Sequence, residues 1–131
     1  MRSTVIVRAL LGVAALAVAA GLVALQRDHD HCQDAVRAAY LASAAPEPEL
    51  RARATGVIES CAGAEPLNRV AVGLRVERPA VATLLAREAA AREPDSYVAW
   101  GVLAVSVPAG ERERAAERAR ALNPLSVAGG P

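Results

Sequence analysis

The stretch Val5 to Leu25, VIVRALLGVAALAVAAGLVAL, runs for 21 residues with a single charge, Arg8. As a helix rising ~1.5 Å per residue it reaches about 30 Å, the thickness of a bilayer's hydrocarbon core. A segment of this kind constrains a short chain more than any other feature. It predicts a membrane span through residues 5–25, with everything after it forming a separate polar-faced unit. Arg2 and Arg8 lie at its start, and Asp28 and Asp30 follow Arg27 at its end. The excess of basic residues on cytoplasmic flanks then places the N-terminal side in the cytoplasm and the remainder outside the cell membrane. A cleavable signal peptide has the same polarity, but it needs small residues three and one positions before the cut. Val23 and Leu25 stand there at the end of the run, and Ala17-Val18-Ala19 is buried within it. The preferred reading is an uncleaved signal anchor over 1–27, a helical domain over 28–124 and a flexible tail over 125–131. Secretion after cleavage is the alternative.

The rest of the chain favours helices. Alanine makes up about a quarter of the 131 residues, aromatics are 2% and Phe is absent. Alanine is the best helix former, and a core of Ala, Val and Leu suits closely packed helices. Every basic residue is Arg. The 15 basic residues less Arg2 and Arg8 leave 13 after residue 25, against all 14 acidic ones, a net charge of −1. No basic face is concentrated enough to read as a nucleic-acid footprint. Glu111 to Arg120 alternates in sign, as a solvated helix face does.

DHDHC, Asp28 to Cys32, raises the question of a metal site. In an extended linker His29 and His31 would point the same way. On a helix, residues two apart diverge. No further histidine exists in the chain to complete a zinc or copper sphere. The stretch reads as a polar juxtamembrane linker and helix start, with His29 and His31 as weak metal candidates and no cofactor. Cys32 has a more natural partner in Cys61. The midpoint of the two falls inside Pro46-Glu47-Pro48, so a helical hairpin turning there sets them level. One apolar stripe runs through Cys32, Val36, Ala39 and Ser43, with Tyr40 beside it; another runs through Leu50, Ala54, Val57 and Cys61. An exported domain with two such cysteines predicts a disulfide.

Prolines 66, 94 and 124 recur at spacings of 28 and 30 residues, each after Glu or Asn. Ala86, Ala89, Ala91, Pro94 and Ser96 recur as Ala116, Ala119, Ala121, Pro124 and Ser126. Each period predicts two helices: 31–44 with 48–62, 66–76 with 79–93, and 95–106 with 111–122. Pro79 suits a helix first turn, and Asp95 or Ser96 suits an N-cap. Inward stripes are expected at Val81, Leu84, Leu85 and Ala89, and at Trp100, Leu103, Ala104 and Val107.

AREAAAREPDSYVAWGVLA, Ala86 to Ala104, followed by AAERARALNP, Ala115 to Pro124, resembles a tetratricopeptide (TPR) array. Pro94, Trp100, Leu103, Ala104, Ala119 and Pro124 occupy positions where that repeat places its small residues, aromatic and terminal proline. The periods are shorter than the usual ~34 residues, and the family's Gly-Tyr pair in the first helix is missing. The resemblance implies an all-α fold: an N-terminal transmembrane helix and about three antiparallel hairpins stacked as a short solenoid. It further implies a concave groove lined by the first helix of each pair, with Arg37, Tyr40, Asn68, Arg69, Arg75 and Tyr97 as the binding residues. Arginine forks match carboxylates, so an acidic or C-terminal peptide of an unidentified protein partner would suit such a groove.

The stretch YVAWGVLAVSV is apolar nearly all round, and repeat arrays end in a polar capping helix that LSVAGGP cannot form. The last hairpin is therefore expected to dock on a partner or to self-associate. Catalysis is not: Lys is absent, both histidines flank the span, the cysteines pair, and no glycine-rich phosphate loop occurs. The function expected is a membrane-anchored extracytoplasmic scaffold for protein–protein interaction. The alternatives are a juxtamembrane metal or redox module built on DHDHC, or an accessory subunit of a larger membrane complex.

Overall fold

A computed structural model describes residues 2–124, with side chains from Leu11 onward. The tail 125–131, expected to be flexible, lies outside the described residues. Six helices follow one another: α1 (Arg2–Leu41), α2 (Glu47–Ser60), α3 (Ala64–Leu74), α4 (Pro79–Arg92), α5 (Tyr97–Ser106) and α6 (Ala109–Leu122). Among the described residues there is no strand. The helices pack as three successive hairpins, α1 with α2, α3 with α4, and α5 with α6, and α4 also packs against α2 and α5. The all-α fold with one long apolar N-terminal helix agrees with the sequence.

The junction after the apolar run differs from expectation. DHDHC is not a linker: α1 continues through it unbroken, and the domain boundary drawn at residue 27 falls inside the helix. Between Gly21 and Pro46 the chain contains no glycine or proline, the residues that interrupt helices. The charges change what the helix prefers to face without changing its backbone, and Gln26 Nε2 donates to Asp30 Oδ1 at 3.0 Å one turn on. Residues 11–31 are all exposed, and burial starts at Cys32. The helix is long and apolar enough to cross a membrane.

One core runs through the hairpins. Cys32, Val36 and Ala39 of α1, with Ala42 just past its end, meet Leu50, Ala54 and Val57 of α2; Leu67, Val70, Ala71 and Leu74 of α3 meet Val81, Ala82, Leu85, Ala86 and Ala89 of α4. Ala42 rather than Ser43 completes the first stripe. Leu84 is only half-buried, and Trp100 packs partly buried against the core while its indole Nε1 donates to the Pro94 carbonyl at 2.8 Å. The alanines let helices approach closely, so the core needs few large side chains.

Local signals set the helix ends. Pro79 opens α4, and Ser96 caps α5, its Oγ accepting from Ala99 N. Two arginines close the joints between hairpins. Arg78 donates to the carbonyls of Ser43 (2.9 Å) and Ala45 (3.0 Å), holding the α1–α2 turn. Arg92 donates to the carbonyls of Ile58 and Cys61 and to Glu88 Oε1. The last carbonyls of a helix have no partner within it, and the Arg92 guanidinium satisfies two at the end of α2. These two arginines thus hold one hairpin to the next.

Tyr40 lies across α3. Its hydroxyl donates to the Arg69 carbonyl at 2.9 Å, and a Cβ placed on Gly73 would come within 2.8 Å of the tyrosine Cε1. A Gly→Ala change inside a helix ordinarily stabilises it by about 1 kcal/mol. Gly73→Ala should forfeit that gain, because the exposed end of the Tyr40 ring must swing aside and give up its bond to the Arg69 carbonyl, at a cost of about 1 kcal/mol. The contrast can be checked by thermal melts of Gly73→Ala alone and combined with Tyr40→Ala. In the second background the alanine should become neutral or stabilising, the non-additivity expected of two side chains in contact.

Candidate functional site

The two first helices α3 and α5 lie side by side because α4 packs against both. Between them runs a groove of about 520 Å³ lined by Glu65, Asn68, Arg69 and Val72 of α3, by Val98 and Val102 of α5, and by Glu93 and Ser96 from the connection. The spacing 65, 68/69, 72 is one helix face, as is 98 and 102, so each wall is a single stripe. Val72 and Val98 are exposed and Val102 half-buried; Val72, two turns beyond Glu65 on α3, makes the far end apolar.

Its near end is polar. Arg69 engages Glu65 through two nitrogens: Nη2 lies 2.6 Å from Oε1 and 2.8 Å from Oε2, and Nε donates to Oε1 at 3.0 Å. That hydrogen bond, with the charge of Glu65, raises the already high pKa of the guanidinium. Glu93 Oε1 accepts the backbone N–H of Ala64 at 3.0 Å. It serves the first turn of α3, where Gly63 offers no side-chain cap. Asn68 is only 7% exposed, and its Oδ1 has no hydrogen-bond partner. Buried polar atoms are nearly always paired, so this one is an exception within the packing beneath the groove, closed off from its opening.

The binding residues expected from the sequence scatter. Asn68 and Arg69 lie in the groove. Tyr40 packs on α3 against the Arg69 carbonyl but lines none of the described clefts, and its partial burial raises the pKa of the phenol, with Arg69 lowering it and Glu65 raising it further. Arg37 and Tyr97 are exposed and line none of the described clefts. Arg75 borders a different cleft of about 470 Å³ with Thr83, Val105 and Arg112. Val72, Val98, Val102 and Glu93 were not anticipated. The signal available for two of them was the i, i+4 pair of valines on the face of YVAWGVLAVSV opposite its Leu103 stripe.

Cys32 and Cys61 are joined, with Cα atoms 4.8 Å apart, and both are buried. Beside them is a cleft of about 730 Å³ lined by Asp28, His29, His31, Glu59, Pro66 and Arg92, among others. On a continuous helix His29 and His31 stand on opposite flanks of Asp28 and Cys32. Among the described residues, no three of His, Cys, Asp and Glu converge as a metal site would require.

Compared with family models, curated proteins and solved structures, the chain has no match. Its function must be argued from the groove itself.

Proposed function

We propose that the chain is a membrane-anchored scaffold whose stacked hairpins, related to the TPR repeat, hold a protein partner in the α3–α5 groove outside the cytoplasm. The observation that carries this reading is the groove's composition: exposed valines on two adjoining helices beside a polar end formed by Glu65, Arg69 and Glu93. An apolar groove with a few fixed polar groups is what peptide recognition between helices uses. Two features support export: the disulfide, which persists in oxidising compartments, and Arg2 and Arg8 before the span. Binding rather than chemistry suits the site, since its charged groups are occupied in holding α3.

A photo-reactive amino acid placed at Val72 or Val98 in living cells tests the reading. One discrete adduct is expected from both positions, and none from Ala52 or Glu113, which are exposed on α2 and α6. Identical adducts at all four positions, or none at any, would overturn it.

A further inference from the structure

We infer that the cleft between Arg75 and Arg112 binds an acidic side chain of a protein partner, an aspartate or glutamate carried next to an aliphatic residue. This is a second site, separate from the α3–α5 groove, and it does not depend on that groove being occupied.

The cleft of about 470 Å³ opens where the turn between α3 and α4 meets the turn between α5 and α6. Arg75 follows the last residue of α3, and Arg112 lies in the first turn of α6. The Thr83 hydroxyl donates to the Ser106 carbonyl, which ties α4 to the end of α5 and fixes the base between the two arginines. Pro79, Val105 and Pro108 are exposed along the walls. Among the described residues that line the cleft none is acidic, so the two arginines give it a charge of +2. The unpaired Ser106 hydroxyl oxygen is sealed beneath the wall and takes no part.

Both arginines are available because the chain supplies no carboxylate within reach. Arg51, Arg69 and Arg92 each meet a glutamate four residues earlier. Around Arg75, the positions three and four away hold Ala71, Val72, Arg78 and Pro79; around Arg112 they hold Pro108, Ala109, Ala115 and Ala116. Neither guanidinium has a hydrogen bond or ion pair among the described residues. Glu111, beside Arg112, is held by Arg87 at 2.6 Å, and Glu77 lines a separate cleft of about 130 Å³. The arginines of the other described clefts, Arg69, Arg78 and Arg92, are all engaged.

Two unused guanidinium forks between apolar walls suit a carboxylate on an apolar segment. The neighbouring aliphatic side chain would cover Val105 and the prolines, whereas a polymer of phosphates would set charge against them. A lipid headgroup of the bilayer that holds α1 is out of reach. From Leu25 to Leu41, α1 climbs roughly 24 Å. Arg78 bonds the Ser43 and Ala45 carbonyls, so the turn after α3 stands level with the top of α1. The acidic ligand expected from the sequence thus finds its arginines here and not at Arg69.

The test titrates the full chain, in nanodiscs of zwitterionic lipid, with the pentapeptides Ser-Val-Glu-Val-Ser and Ser-Val-Gln-Val-Ser. Each is amidated at one end, carries an uncharged dye at the other and is read by polarisation. The glutamate peptide should bind roughly fivefold tighter at low salt, and that preference should fade at high salt. Arg75→Gln and Arg112→Gln should each remove most of it without changing the melting temperature, since neither arginine holds the fold. Arg37→Gln, which removes an exposed arginine on α1, should leave it intact. Equal affinity for the two peptides, no binding of either, or an equal loss in Arg37→Gln would overturn the inference. Inorganic polyphosphate that binds tighter than the glutamate peptide, and weakens in both cleft variants, would assign the cleft to an anionic polymer and overturn the protein partner. A preference lost in Val102→Arg but kept in the cleft variants would move the acidic ligand to the α3–α5 groove, overturning this site while leaving the scaffold reading standing.

Discussion

Opening the Cys32–Cys61 bond should lower the melting temperature of the helical domain by about 15–25 °C. The bond closes a loop with a sequence separation of 29. On the loop-closure model it restricts the unfolded chain by roughly 3–4 kcal/mol. A domain near 100 residues shifts about 4–8 °C per kcal/mol. The native contacts point the same way, because both cysteines are buried where α1 enters the domain and α2 leaves it. The measurement is the far-ultraviolet helix signal of the detergent-held chain, heated with and without reductant, alongside Cys32→Ala/Cys61→Ala. Helix signal from the span should persist through the transition, so the lost amplitude reports on α2 to α6. On intact cells, a membrane-impermeant maleimide should label the protein only after reduction. A melt that does not respond to reductant would show that the arginine joints and the core suffice without the bond.

The second large effect is expected at Leu85. It is wholly buried at the centre of α4, the helix that touches α2, α3 and α5. Leu85→Ala should cost about 3 kcal/mol, combining lost burial with a cavity that alanine-lined neighbours cannot collapse to fill. Leu84, one residue earlier and half-buried, supplies the control. Leu84→Ala should cost roughly 1 kcal/mol or less, in proportion to the smaller apolar area it loses. Denaturant unfolding of the two variants separates these outcomes. Comparable losses would place the core differently from the contacts described here.

These two residues also show what could be read in advance. The second, fourth and sixth helices were legible to within about three residues at each end because prolines mark them. Pro79 begins α4, and Pro94 follows its end. The disulfide was legible because two apolar stripes met across Pro46-Glu47-Pro48. The unbroken α1 was not. A run of charges was read as a change of backbone when it is only a change of surroundings. Arg78 and Arg92 were illegible for another reason: the carbonyls they hold lie 31 to 35 residues away, and no local pattern separates a bridging arginine from a solvated one. The groove fell between these cases. Asn68 and Arg69 were expected on a groove wall and line this cleft, but the pairing of Arg69 with Glu65, which neutralises the arginine, depends on side-chain geometry.

The continuity of α1 has a consequence for direction. A flexible tether would let the domain sample every azimuth above the membrane, and the groove would face a neighbouring membrane protein only part of the time. A helical shaft indexes the groove instead. Each residue between Leu25 and Cys32 advances the domain by about 100° around the shaft and ~1.5 Å along it. One inserted residue would turn the groove away from a partner held in the same bilayer. A second would leave it facing nearly backward, and a whole turn of three or four would bring it back, some 5 Å higher. On the proposed scaffold reading, the number of residues in the polar stretch after the span, more than their charges, would decide which neighbours the groove can reach.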